Sequence, residues 1–156
     1  MQECELKEIP QRKILYMACM GPWRQLPEML DKLSQYAAQV EAKTTGYPGA
    51  FYFNTPQEVD VQDLAWEVFY PIEADITEYF DEKTGFGVKF VEGVRAAATI
   101  HKGSYRNAAS SYKRLQDWIS IQGLKTCGAA EEAYLTDFSQ SIEDQLIEIC
   151  LPVCAA

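Results

Sequence analysis

The sequence predicts an α+β fold. Two strand-helix-strand-strand copies, related by a pseudo-twofold axis, should form one antiparallel sheet of about eight strands with two main helices on one face. Three observations predict it. The chain has 156 residues, of which 47% are hydrophobic and 24% charged, the size and composition of one globular core. It is self-similar at an offset of 82 residues. Each copy runs through the same succession of strand and helix periodicities.

The offset places Lys7 on Lys89, Ile9 on Val91 and Gly21-Pro22-Trp23 on Gly103-Ser104-Tyr105. Leu33 falls on Leu115, Tyr36 on Trp118, Gly46 on Gly128 and Tyr52 on Tyr134. With one residue of slip, the run Trp66 to Ile72 falls on Ile147 to Val153, and both read apolar-Glu-apolar-x-x-Pro-apolar. The copies are expected at about 1–80 and 81–156. Each is too small to be comfortable alone, so one domain over 1–156 is expected.

The elements follow in order. Ile14–Met20 and Val94–His101 read as the opening strands, broken by Gly21 and Gly103. Leu26, Leu30, Leu33 and Ala37 mark one face of a helix that starts near Pro27, which suits a first turn. Tyr105, Ala108, Tyr112, Leu115 and Ile119 mark the second helix, which Gly123 is placed to stop. Short strands are expected at Ala50–Asn54 and Ala133–Asp137, and longer ones at Leu64–Ile72 and Gln145–Val153. Thr77–Gly87, with Asp81, Glu82, Lys83 and two glycines, reads as the linker between copies.

Charge and motif content narrow the function. The net charge is −9, which disfavours direct binding to nucleic acid or acidic membranes and favours a cationic ligand or a basic partner. Of the charged residues, 6 basic and 13 acidic fall in 1–80, so the acidity belongs mainly to the first copy. No apolar stretch approaches the roughly 20 residues that span a bilayer. The start MQECELKEIPQRK lacks the order of a signal peptide, and a cytoplasmic protein is expected. Cys4, Cys19, Cys127, Cys150 and Cys154 are odd in number and form no C-x-x-C, as expected of reduced thiols. Cys150 and Cys154 share a strand face, but two thiols are too few for a structural zinc, and no metal is expected. No dinucleotide, Walker or H-E-x-x-H motif occurs, and no cofactor is expected. The one histidine, His101, at a strand end, reads as structural.

The sharpest site signal is a glutamate within an apolar strand. Glu148 lies between Ile147 and Ile149, and Glu67 between Trp66 and Val68. A carboxylate there must be paired, hydrogen-bonded or protonated. Such a group suits the floor of an apolar cleft, where it would hold a cation or act as acid or base. Two aromatic residues break the repeat. Tyr112 stands where the first copy has Leu30, and Trp66 where the second has Ile147. Trp23, Tyr105, Tyr52 and Tyr134 occupy matched positions, where they either pack or line a symmetric cleft.

These residues resemble the GyrI-like small-molecule-binding domain, also the effector-binding module of AraC- and MerR-type multidrug-sensing regulators. The resemblance rests on Gly21-Pro22-Trp23, His101-Lys102-Gly103-Ser104-Tyr105, Leu115 and Trp118, the run from Glu132 to Asp137, and the run from Ile147 to Val153. It covers essentially the whole chain, and departs in Trp23, where a Tyr is usual, and in Pro27, which shortens the helix. It implies an aromatic-lined pocket between the halves with a last-strand glutamate in it, the position of Glu148. It implies a stand-alone cytosolic protein for hydrophobic, often cationic, drug-like compounds. One alternative it implies is hydrolysis of cyclopropane-bearing DNA alkylators, with Glu148 and either Tyr112 or Tyr105 central. Another is an interaction module for DNA gyrase or a regulator.

Overall fold

Ile9 and Arg12 are joined by only Pro10 and Gln11. A two-residue hairpin needs positive φ at its centre, and a proline ring forbids that. Neither Pro10-Gln11 nor the matched Glu92-Gly93 adopts positive φ. The strands on either side of each link therefore seek other partners, and this decides the topology.

The computed structural model describes residues 3–156. Among them lie ten strands and two long helices: β1 (Cys4–Ile9), β2 (Arg12–Met20), α1 (Leu26–Gln39), β3 (Gly49–Tyr52), β4 (Ala65–Ile72), β5 (Tyr79–Phe80), β6 (Phe86–Val91), β7 (Val94–Lys102), α2 (Ala109–Ile121), β8 (Leu124–Thr126), β9 (Ala130–Tyr134) and β10 (Leu146–Ala155). The chain forms two compact units. One is Gln11–Glu92; the other joins the residues up to Pro10 with Gly93–Ala156. The division falls after Pro10 and after Glu92.

The Gln11–Glu92 unit has strand order β3-β4-β2-β6-β5, and α1 packs on β2 and β4. The other unit has order β1-β7-β10-β9, with β8 on the end of β10 and α2 packed on β7 and β8. Each described pairing within them is antiparallel. Each unit carries the opening strand of the other copy. Lys7 of β1 stands opposite Ala96, and Lys89 of β6 opposite Ile14, so both members of one pairing shift by the same repeat offset.

Gly21 and Gly103, at φ 119° and 127°, end β2 and β7 in a conformation that a side chain resists. Short 3-10 turns then lead into the helices. Pro27 lies in the first turn of α1, as expected, and the helix buries Leu26, Leu30, Leu33 and Ala37. Helix α2 buries Ser111, Leu115 and Ile119. Each buried leucine contributes roughly 1.5–3 kcal/mol by leaving water.

Two expectations change. Thr77–Gly87 is not a plain linker, because it holds β5 and the start of β6. Asp81 builds that hairpin: its backbone pairs with Phe86 and Gly85, and its carboxylate accepts from Lys83 N at 2.9 Å. Phe80 stacks on Tyr16 with ring centroids 6.1 Å apart, and the Tyr36 and Tyr79 hydroxyls are hydrogen-bonded. Strand β9 runs from Ala130 to Tyr134, three residues earlier than the strand expected at Ala133–Asp137, and takes in Glu131 and Glu132.

Side-chain alternation sorts each sheet into faces. In the discontinuous unit, Ser111 and Arg114 of α2 bond His101 and Thr99. Ile149 is opposite Thr99 and Glu132, and Ile147 opposite His101 and Tyr134. All of these therefore share the α2 face. Ala96, Ala98, Glu148 and Cys150 take the other.

Strand β6 runs close beneath β5. A Cβ at Gly87 would sit 2.6 Å from the Tyr79 carbonyl and 2.9 Å from the Tyr16 ring. Gly87→Ala should cost about 2 kcal/mol by overpacking. It should lower the urea midpoint at an unchanged m-value, whereas a wild-type midpoint would mean that β5 moves aside without cost.

Candidate functional site

The two strand glutamates are answered by matched lysines. Lys7 Nζ donates to Glu148 Oε2 at 3.0 Å, across β7 from β1 to β10. Lys89 Nζ donates to both oxygens of Glu67, at 2.6 and 2.8 Å, and lies 4.3 Å from the Tyr16 ring centroid. The Glu148 side chain is 22% exposed and that of Glu67 12%. Burial works against the charge on Lys7, but the hydrogen bond and charge of Glu148 outweigh it and hold the ammonium above its ordinary value. Burial, and then the charge of Glu67, push the Tyr16 phenol up.

A third carboxylate has a different setting. Glu132 of β9 is buried at 5% exposure. Tyr112 Oη of α2 donates to its Oε2 at 2.5 Å, and Tyr134 Oη donates to its Oε1 at 2.8 Å. The ring of Phe138 lies 5.4 Å from Tyr134 and 5.6 Å from Tyr105. The sequence thus becomes a contiguous cluster of one acid and four aromatic rings, within one unit. A phenol that donates to a carboxylate favours its charged form, and aromatic faces attract organic cations.

The predicted site residues separate accordingly. Tyr112, Tyr134 and Tyr105 join the Glu132 cluster. Glu148, expected to partner Tyr112, does not meet it. Glu148 stands opposite Ala133, so it points away from the face that Glu132 and α2 share. Glu67 likewise stands opposite Phe51, on the face away from Trp66 and Tyr52. Tyr52 packs between Trp23 and Trp66, at 5.2 and 6.3 Å between ring centroids. Trp66 is 1% exposed and donates its Nε1 to Gly21 O at 3.0 Å, while Trp23 Nε1 is buried without a hydrogen-bond partner. His101 is buried, with Nδ1 2.7 Å from Ser111 Oγ and Nε2 2.9 Å from Ser104 O, which is structural work.

The two copies differ at the cluster. By strand pairing, Glu132 corresponds to Ala50, and by the repeat offset Tyr112 corresponds to Leu30. Both first-copy residues are buried and apolar. Sequence reasoning missed Glu132, Phe138 and Lys7 as site or partner residues. The signal for Lys7 was its match with Lys89. For Glu132 it was the run of Glu-x-Tyr ahead of the last strand. A separate surface groove lies between the outer face of α2 and the start of β1, lined by Cys4, Arg114, Trp118 and Ile121, and holds no member of the cluster.

Comparison with known proteins agrees with this architecture. A family model described as a GyrI-like small molecule binding domain matches residues 2–153. No curated protein sequence matches. The C-terminal domain of EcmrR is similar at TM-score 0.83 and 19% identity, over 99% of both chains. EcmrR in its DNA complex, seen by cryo-EM, is similar at TM-score 0.85 and 18% identity over 99% of this chain, which spans 58% of that one. A hydrolase from Listeria innocua has TM-score 0.75 at 15% identity, covering 97% of this chain and 92% of its own. SAV2435 bound to tetraphenylphosphonium has TM-score 0.56 at 14% identity, covering 97% and 94%. At these identities the likeness is one of fold.

The Lys7 bridge sets a pH dependence. Its folded value is raised above 10.5, so its contribution is fully present below pH 10.5 and is lost as pH rises through the folded value. Glu148→Gln should therefore cost about 1 kcal/mol at pH 7, a size that allows for solvent at a partly exposed pair. The gap between wild type and variant should close above pH 10.5 in denaturant titrations. A gap that stays constant through that range would show that the bridge is not its source.

Proposed function

The chain belongs to the family of GyrI-like small-molecule-binding domains, and we propose that it binds hydrophobic organic cations at the Glu132–Tyr112–Tyr134 cluster. One observation carries this reading: an acid and a phenol stand where the other copy has Ala50 and Leu30. Burying a carboxylate costs free energy that the apolar pair avoids. Stability alone does not account for the exchange, whereas a ligand that needs negative charge among aromatic rings does.

The physical parts suit such a ligand. The phenol donors hold the carboxylate in place. The half-buried rings of Phe138 and Tyr105 would offer faces to a cation beside the buried Tyr134. The net charge of −9 raises the local concentration of cations. Glu148 and Glu67 serve a structural role in this reading, because each already has its lysine. Tetraphenylphosphonium, the compound bound to SAV2435, supplies a probe of matching chemistry.

Isothermal titration with tetraphenylphosphonium tests the reading. The wild type should bind. Glu132→Gln should bind at least tenfold more weakly, since a charge pair at about 6 Å is worth a few kcal/mol at an effective dielectric near 20. Glu148→Gln, folded by circular dichroism, should stay within about twofold of wild type, below 0.5 kcal/mol. Equal affinity for Glu132→Gln and wild type would overturn the proposal.

A second reading uses the same pair. Tyr112 Oη and Glu132 Oε2 lie 2.5 Å apart, close enough to pass a proton. Hydrolysis of a cyclopropane-bearing alkylator would use the carboxylate to activate water and the phenol to stabilise the opening ring. The ring-opened product, formed by wild type and not by Tyr112→Phe, would support it. Binding without turnover would leave the first reading.

A further inference from the structure

The five cysteines form no disulfide. They differ in what surrounds them. Cys150 is buried in a core cluster with Ile9, Ala96 and Ala98. The Cys19 thiol donates to Met17 O at 3.5 Å, and burial pushes it up to about 12. Cys4 lines the groove beside α2. Cys127 and Cys154 are distinct, because they meet each other.

That meeting is made by strand register. Strand β8 pairs with the end of β10, with Thr126 opposite Val153 and Lys125 opposite Cys154. Cys127 extends the ladder by one step, its N–H donating to Pro152 O at 2.8 Å. Cys127 and Cys154 are therefore diagonal neighbours on one face of the ribbon, a step further apart than directly opposed residues. Hydrogen bonding to the Cys154 thiol, then burial, pushes the Cys127 thiol up, while Lys125 pulls it down. Cys127 is exposed and Cys154 half-buried, so an oxidant has access. Cys154 was read from sequence beside Cys150, four residues away on its own strand. Its nearest thiol comes instead from 27 residues earlier in the chain, Cys127.

We propose that Cys127 and Cys154 form an oxidisable dithiol, closed to a disulfide by a peroxide. In the first step the thiolate of one cysteine attacks a peroxide oxygen, the O–O bond breaks, and a sulfenic acid and water form. In the second, the other thiol attacks that sulfur, the S–O bond breaks, a second water leaves, and the S–S bond forms. Two thiols lose two hydrogens in all, and hydrogen peroxide is reduced to two waters. Cys127 begins the turn that leads from β8 into β9. The bond would tie that turn to the C-terminal strand, a few residues before Glu132.

The full chain, reduced and freed of reductant, should show five reactive thiols when denatured. After hydrogen peroxide and unfolding it should show three, with a monomer mass lower by about 2 Da and one proteolytic fragment linking residues 127 and 154. Cys127→Ser and Cys154→Ser should each keep four thiols in the monomer, while Cys4→Ser should still lose two. Phenylarsine oxide, which bridges two neighbouring thiols with loss of one water, should bind wild type 1:1 and protect the pair from alkylation, and should not protect Cys154→Ser. A wild-type monomer that retains five thiols, or a disulfide linking any other pair, would overturn the proposal. So would equal protection of wild type and Cys154→Ser by the arsenical.

Discussion

The structure depends on where its two opening strands go. Pro10 denies β1 a tight hairpin with β2, and β1 pairs with β7; β6 pairs with β2 by the same register one repeat away. This exchange also settles the electrostatics. Strands β10 and β4 each carry a glutamate with apolar sequence neighbours on either side. Lys7 arrives on β1 and Lys89 on β6, and each bonds the glutamate two strands away. Without the exchanged strand, each unit would hold a partly buried carboxylate with no cation from its own side, a costly arrangement. Connectivity and charge balance are thus one solution reached twice.

On that shared frame the copies do different work. Behind β2, Ile14, Tyr16 and Phe69 form one core cluster, with Phe51 packed against it. At the matched places behind β7 stand Ala96, Ala98 and Cys150. On the helix side the contrast runs the other way in polarity. The first copy keeps Leu30, Ala50 and Trp66 in a dry aromatic and aliphatic core. The second places Ser111, His101, Tyr112, Glu132 and Tyr134 there in two hydrogen-bonded groups. Buried polar groups are tolerated when satisfied. Here each has a partner, which lowers the cost of polarity in the second copy without removing it.

Much of this was legible in the sequence, for definite reasons. The repeat offset is a property of the residues alone, and with the local periodicities it located both helices, six of the strands and the matched lysines. Helix spacing at Leu26, Leu30, Leu33 and Ala37 was sufficient because one face of α1 is buried and the rest exposed. The missed strands are β1, with three charged positions, the two- and three-residue β5 and β8, and β6, most of which lies beyond the segment read as a linker. Their existence comes from partners that lie far along the chain, and no local pattern carries that. The linker reading of Thr77–Gly87 failed for the same reason. Glycines and charges mark a turn, but whether strands flank it depends on β2 being there to receive β6.

The choice between carboxylates shows where sequence reasoning has to stop. An apolar flank on both sides says that a glutamate's strand is buried, and it picked out Glu148. It does not say which face the side chain takes or what crosses that face. Glu132, flanked by Glu131 and Ala133, had no such flank and fell one residue before the expected strand. In the sheet, Glu148 stands opposite Ala133 and Glu132 opposite Ile149. One step along β9 therefore reverses the face. The carboxylate on one side meets an ammonium delivered by the exchanged strand; the carboxylate on the other meets two phenols delivered by α2 and by β9 itself. Period-two alternation turns neighbouring positions on a strand pair into opposite environments, one where a lysine meets the carboxylate and one where phenols do.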